Sequence, residues 1–298
     1  MTMKINFLKY KIIYLVFSAI LLLATFFSIF YFGLKPGIDF VGGSILEVNF
    51  GARPENQIIQ EKLKDLNLGD LIIQPVGEKG VIIRMKEIDE SAHQEINSKL
   101  GEISKIEEGR FESIGPVIGK ELKQKTMILI VVSLAALLIY MAVSFRKVSR
   151  HISGWQYGVI SIITLTFDVL IPVGVFTLLG KFYNVQFSIP IVTALLTILG
   201  YTINDKVIVF DRVRENLLRS REENFEVILN RSLNQILTRS LSTGSCSLFV
   251  LSSIFFLGGE TLKYFSFTLI IGIIIGTLTS LFLAPSLLLL WLKQKRIF

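Results

Sequence analysis
Four ionisable residues stand inside apolar runs of this chain: Asp168 in TLTFDVLIP, Asp205 and Lys206 in GYTINDKVIVF, and Arg239 in TRSL. A charged side chain at the middle of a bilayer costs about 2.5–3.5 kcal/mol on insertion scales. Such groups therefore pair, face a bundle interior, or line an ion or proton path. Asp205 and Arg239 could form a salt bridge that holds two helices together. The same pair could also open and close, because a carboxylate that alternates between apolar surroundings and an arginine alternates between binding and releasing a proton. Lys206 lies within reach of the nearer interface and is expected to snorkel towards it. Asp168 has no cation close in sequence, so a partner must come from elsewhere. Thr166 near Asp168, and Tyr201, Thr202 and Asn204 near Asp205, supply hydroxyl and amide groups that could solvate either carboxylate.

Other chemistries are poorly supported. His93 and His151 fall outside the apolar runs and no H-E-x-x-H occurs, which excludes an intramembrane zinc protease; no metal and no cofactor is expected. Gly115–Lys120 (GPVIGK) resembles a phosphate loop but is one residue short and is followed by Glu121. Ser242–Cys246 (STGSC) lacks a histidine that could activate a nucleophile, and Gly272–Gly276 (GIIIG) is a small-residue pair; both read as helix contacts. Cys246 is the single cysteine, so no internal disulfide forms. No catalytic residue is nominated, and the chain is not read as an enzyme.

The elements that must position these groups are membrane spans. Of 298 residues, 51% are apolar and 18% charged, below the quarter or so of a soluble domain. A span needs about 20 apolar residues. Six stretches qualify: Ile12–Leu34, Thr126–Phe145, Trp155–Gly180, Phe187–Phe210, Ser240–Leu257 and Phe265–Leu292. Pro172, Pro190 and Pro285, with Gly174 and Gly200, supply bends near the charged positions. The net charge of +7 is a topology signal. Lys and Arg concentrate before the first span, in Arg146–His151, in Asp211–Arg239 and after Leu292, whereas the short opposite loops carry only Lys181, Glu260 and Lys263. That bias puts both termini in the cytoplasm and residues 35–125 outside. It also removes any need for a nucleic-acid partner. Within 211–239, Arg212, Arg214, Arg219 and Arg221 followed by Phe225, Val227, Ile228 and Leu229 suggest an amphipathic helix on lipid or on a partner. The expected division is a first span over 1–34, an outer domain over 35–125, a five-helix bundle over 126–292, and a tail over 293–298.

The outer block reads as a small α+β module. Ser44–Phe50, Leu71–Val76, Val81–Lys86 and Ile106–Ile114 have strand composition, and Gly77–Gly80 supplies a turn. Pro54–Asn67 and Asp89–Ile103 place apolar residues at helical spacing. The order β-α-β-β-α-β is that of a ferredoxin-like fold.

Four strings together resemble the SecF members of the SecD/SecF export family, within the RND superfamily. They are Gly37–Gly43 (GIDFVGG, with Gly37, Asp39, Phe40, Gly42 and Gly43), Ile114–Leu122 (IGPVIGKEL), Gly200–Glu215 (GYTINDKVIVFDRVRE, with Asp211 and Arg212) and Thr238–Leu241 (TRSL). GIDFVGG alone fits SecD equally, but SecD carries a much larger outer region. TRSL stands where the family often has TRT[LI], and Lys206 where a small residue is common. The resemblance implies a six-span RND-like α-helical membrane fold in the bacterial cytoplasmic membrane. It implies a complex with SecD and the SecYEG channel, exported preproteins as substrates, and a proton or sodium gradient as the energy source. It assigns ion coupling to Asp205 and Arg239, with Asp168 and Asn204 as weaker carry-overs. The alternative is an RND-type exporter of lipids or small molecules.

Overall fold
Long apolar runs bounded by Gly or Pro become the long helices of the computed structural model, which describes residues 5–144, 154–219 and 224–295. The elements begin with α1 (Lys11–Phe32), the one-turn α2 (Ile38–Val41), β1 (Gly43–Phe50) and α3 (Asn56–Leu63). Then come β2 (Ile72–Val76), β3 (Gly80–Met85), α4 (Glu90–Gly101), β4 (Ile106–Ile114) and α5 (Pro116–Ser144). The chain continues with α6 (Gly154–Tyr183), α7 (Ile189–Arg219), α8 (Phe225–Leu257) and α9 (Glu260–Leu278). A π-helical turn, Thr279–Leu283, joins α9 to α10 (Ala284–Lys295). The basic loop 146–151, Arg221 and the tail 296–298 lie outside the described residues.

Among the described residues, six helices are long and apolar enough to cross a membrane, at the six places the hydropathy predicts. Their ends differ from the apolar runs. Helix α5 starts ten residues early because Pro116 presets the first helical φ. Helices α7 and α8 run on through charged sequence to Arg219 and back to Phe225. Residues 211–219 and 225–239 therefore continue the span helices, and no separate amphipathic helix occurs among the described residues of this segment. Asn224 caps α8 by accepting the Glu226 N–H at 3.1 Å.

The chain divides into two units. The membrane unit comprises residues 1–34, 130–181 and 190–298. Half of the most apolar window of α6 and of α7 is buried, and 56% of that of α9–α10, against 11%, 6% and 11% in α1, α5 and α8. Helices α6, α7 and α9 are thus the ones able to hold ionisable groups away from lipid. Tyr157, Ile160, Leu199, Val209, Phe210, Leu233 and Leu288 are among the buried residues of this unit's core. At one end the first residues are tied to α8: Asn230 and Asn234 accept the N–H groups of Phe7 and Ile5, each at 2.9 Å, and Lys11 meets Glu226 at 3.0 Å.

The second unit comprises residues 35–129 together with Phe182–Ile189. Its four strands form an antiparallel sheet in the order β2-β3-β1-β4, as a ferredoxin-like module requires. Pairing runs from Ser44↔Met85 to Asn49↔Gly80, with a bulge at Glu47/Val48 against β4. Leu46, Val48, Phe50, Val81 and Ile83 from the strands pack with Ile59, Leu63, Ile96 and Leu100 from α3 and α4. Asp89 caps α4 by accepting the Ala92 N–H at 2.9 Å, and that bond holds its carboxyl below the usual range.

Candidate functional site
Helix α6 carries Asp168 into the bundle interior, where the side chain is fully buried. Its partner is Lys206 of α7, whose ammonium lies 2.5 Å from Asp168 Oδ2, with both side chains 0% exposed. The expectation that Lys206 snorkels is overturned. One helical position separates it from Asp205, which turns it about 100° away and into the bundle. The other carboxylate oxygen, Oδ1, accepts the Thr279 hydroxyl at 2.6 Å, and Thr279 Oγ1 also lies 3.4 Å from Lys206 Nζ. Three helical segments thus meet on one carboxylate. Thr166 takes no part, since it is exposed and donates to Ile162 O.

Close approach of α9 to α7 makes this meeting possible. A Cβ on Gly276 would lie 2.0 Å from Thr202 Cγ2, and one on Gly272 would lie 2.1 Å from Ile198 Cδ1. The G-x-x-x-G pair is therefore a helix contact. The π-turn begins at Thr279 and directs Ser280 back to Gly276 O, at 2.7 Å.

Asp205 faces a different neighbour. Its Oδ1 accepts the hydroxyl of Ser240 on α8 at 2.7 Å, while Oδ2 is buried with no hydrogen-bond partner among the described residues. Beyond Ser240, the groups whose charge or dipole reaches it are Lys206, Ser280 and Asp168. The expected Asp205–Arg239 ion pair is not formed. Arg239 is exposed on α8, one residue before Ser240, and joins no ion pair among the described residues. Asn204 is likewise exposed, and Tyr201 reaches Ser247 at 3.3 Å. Sequence reasoning missed Ser240 and Thr279. Ser240 was quoted only as part of TRSL, and the only signal of Thr279 was a hydroxyl in an apolar run, of which this chain has many.

Two further motifs have structural explanations. In the outer unit, Gly42 and Gly43 adopt φ of +82° and +131°, and a Cβ on Gly42 would lie 2.8 Å from Pro116 Cα. A Cβ on Gly119 would lie 2.9 Å from Gly42 N, so GIDFVGG and IGPVIGKEL are backbone surfaces fitted to one another. Gly37 N–H donates to Phe187 O at 2.8 Å and Asp39 Oδ2 accepts the N–H of Ile189, the first residue of α7, at 2.9 Å. Asp39 thereby caps the helix that carries Asp205 and Lys206. At the other end of α7, Arg212 donates to Gln235 of α8 at 2.7 Å and to Glu215 at 2.5 Å. Asn216 adds bonds of 2.8 Å to both Ser232 and Gln235. Asp211 is exposed, 3.9 Å from Arg214.

Six candidate spans, a ferredoxin-like domain after the first, and carboxylates held where inner helices cross define a polytopic membrane protein with buried charge in its bundle. A family model described as "Protein export membrane protein SecD/SecF, C-terminal" matches residues 94–294, and the "SecD/SecF GG Motif" matches residues 27–52. The chain is 34% identical to the protein translocase subunit SecF of Thermobaculum terrenum, covering 96% of this chain and 94% of that one. It is 35% identical to SecF of Desulfurispirillum indicum, covering 96% and 91%. Among solved structures, a crystal structure of SecDF from Thermus thermophilus, a translocon-associated membrane protein, matches with a TM-score of 0.84 and 30% identity. That likeness covers 97% of this chain and 38% of SecDF. The chain belongs to the SecF branch of the SecD/SecF family of protein-export membrane proteins.

Proposed function
We propose that this chain acts with SecD as an accessory subunit of the Sec export machinery, and that an ion moving through Asp205 drives its working cycle. The export role follows from family membership over nearly the whole length, which disfavours a separate exporter of lipids or small molecules. Its relatives are named as translocase subunits, and we assign it no enzymatic activity. Family membership supports a cytoplasmic-membrane location, and Lys/Arg bias supports both termini inside and residues 35–125 outside.

The observation that carries the coupling reading is Asp205 Oδ2, a buried carboxylate oxygen without a hydrogen-bond partner among the described residues. Such an atom is costly unless a proton or cation visits it. Arg239 lies about 100° around α8 from the Ser240 hydroxyl that now touches Asp205, so a modest turn of α8 exchanges hydroxyl for guanidinium. That exchange expels the bound ion. One elementary charge crossing 100 mV releases about 2.3 kcal/mol, and about 1.4 kcal/mol is a tenfold shift between two states. One ion per cycle is therefore enough to bias an outer domain that holds the emerging preprotein in one state and releases it in the other.

Asp205→Asn tests this. In proteoliposomes with SecD and SecYEG the variant is expected to assemble normally and lose the gradient-dependent stimulation of preprotein export. Full stimulation by the variant would overturn the coupling role.

A further inference from the structure
Lys206 sits on the carboxylate that the coupling reading leaves unused. An ammonium and an alkali-metal ion carry the same charge and seek the same oxygen ligands. Around Lys206 Nζ those ligands are already assembled: Asp168 Oδ2 at 2.5 Å and Thr279 Oγ1 at 3.4 Å, with Asp168 Oδ1 braced by the Thr279 hydroxyl at 2.6 Å. The residues supplying them are fixed in place. Asp168 and Thr279 come from α6 and the π-turn, and Gly276 of α9 admits α7 so closely that a Cβ there would lie 2.0 Å from Thr202 Cγ2. Asp168 and Lys206 are both 0% exposed, and a buried charge is costly unless an opposite charge is in contact with it.

We propose that Asp168 and Thr279 form a monovalent-cation site that Lys206 fills with its own ammonium, excluding a mobile ion and leaving Asp205 as the carboxylate open to one. The last clause rests on the coupling reading above; the cation site does not. The tether decides the competition, because a cation attached to the same helix bundle is present at a far higher effective concentration than a dissolved one. The charged groups around the site are Lys206 on α7 and, through space, Asp205 of the same helix. Replacing Lys206 by Ala vacates four side-chain heavy atoms beside an intact carboxylate–hydroxyl pair. Replacing it by Met removes the ammonium and keeps the space filled.

The test uses the full chain purified with SecD. Thermal unfolding is compared in sodium chloride and in N-methylglucamine chloride at equal ionic strength and pH 8. The unsubstituted protein is expected to melt at the same temperature in both salts. Lys206→Ala is expected to melt several degrees lower in the organic cation and to recover with sodium in a saturable way. Lys206→Met should be destabilised and insensitive to sodium, and Lys206→Ala combined with Asp168→Asn should lose the sodium response. A Lys206→Ala chain that ignores sodium, fails to assemble in either salt, or matches the double variant in both salts overturns the proposal. So does a sodium response that persists without the Asp168 carboxylate. The measurement does not use export, so Asp205→Asn can fail its own test while the sodium response of Lys206→Ala stands.

Discussion
Lys206 and Asp205 are neighbours in the chain with different surroundings, because adjacent helix positions point about 100° apart. One meets α6 and the π-turn, the other meets α8. Thr279 matters to the first of these. Its hydroxyl sits 2.6 Å from Asp168 Oδ1 and 3.0 Å from Gly276 O, and with one hydrogen to give it favours the charged acceptor. Thr279→Val keeps the shape and removes the donor, leaving a buried carboxylate oxygen unpaired. A loss of about 1–3 kcal/mol of stability is expected, read by denaturant unfolding of the detergent-solubilised chain, while Thr166→Val, whose exposed hydroxyl serves only Ile162 O, should change little. Asp168, Asp205, Lys206 and Arg239 were all legible as anomalies, since a charge in an apolar run stands out by itself. Their pairing was not legible. Asp168 and Lys206 are separated by a helix and a loop, and which cation reaches which carboxylate depends on the rotation of packed helices, which hydropathy does not encode.

The elements were read from the same hydropathy, and each misplaced end has a local cause. An apolar window ends where charge begins, whereas a helix ends where its hydrogen bonds lose a partner. Hence α7 runs through DRVRENLLR to Arg219, held to α8 by Arg212, Asn216 and Gln235. The outer strands were legible because alternation and turn residues are local signals; Leu46, Val48 and Phe50 face the core as the alternation in SILEVNF implies. Phe182–Ile189 was read partly as span, yet it pairs with the residue just before GIDFVGG through the Pro36↔Phe187 bridge, a contact 151 residues apart in the chain that no local pattern announces. Helix spacing gives the sharpest prediction at this scale. Gly276→Ala forces a methyl to within 2.0 Å of Thr202 Cγ2, so α7 and α9 must separate where Asp168 meets Lys206. Gly158, on α6, has nothing within 4 Å of the same added atom. Gly158→Ala is expected to be neutral or slightly stabilising. Gly276→Ala should cost about 1–3 kcal/mol through overpacking and lower the unfolding midpoint visibly; equal midpoints would mean that the helices are not held at this distance.

For the whole molecule, what the described bundle leaves uncovered differs from helix to helix. Helix α5 exposes Met127, Ile128, Leu129, Val131, Val132 and Ile139, large aliphatic side chains suited to acyl chains. Helix α8 exposes Arg239, Ser242, Ser245 and Cys246 along with its apolar residues. Small and hydroxyl side chains let helices approach closely, whereas an arginine among lipid tails is costly. The chain spans 38% of the SecDF structure it resembles, and the small-residue face of α8 is the surface best suited to the SecD partner proposed above. Cys246, the single cysteine and exposed on that helix, reports on the assignment directly. Alkylation by a small maleimide, followed by mass spectrometry in one detergent, should be several-fold slower in the complex with SecD than in the chain alone. A cysteine placed on α5 by Ile139→Cys in a Cys246→Ser background should react at the same rate in both. Unchanged reactivity of Cys246 on assembly would assign the α8 face to lipid, and Arg239 would then need a partner that the export complex does not supply from that side.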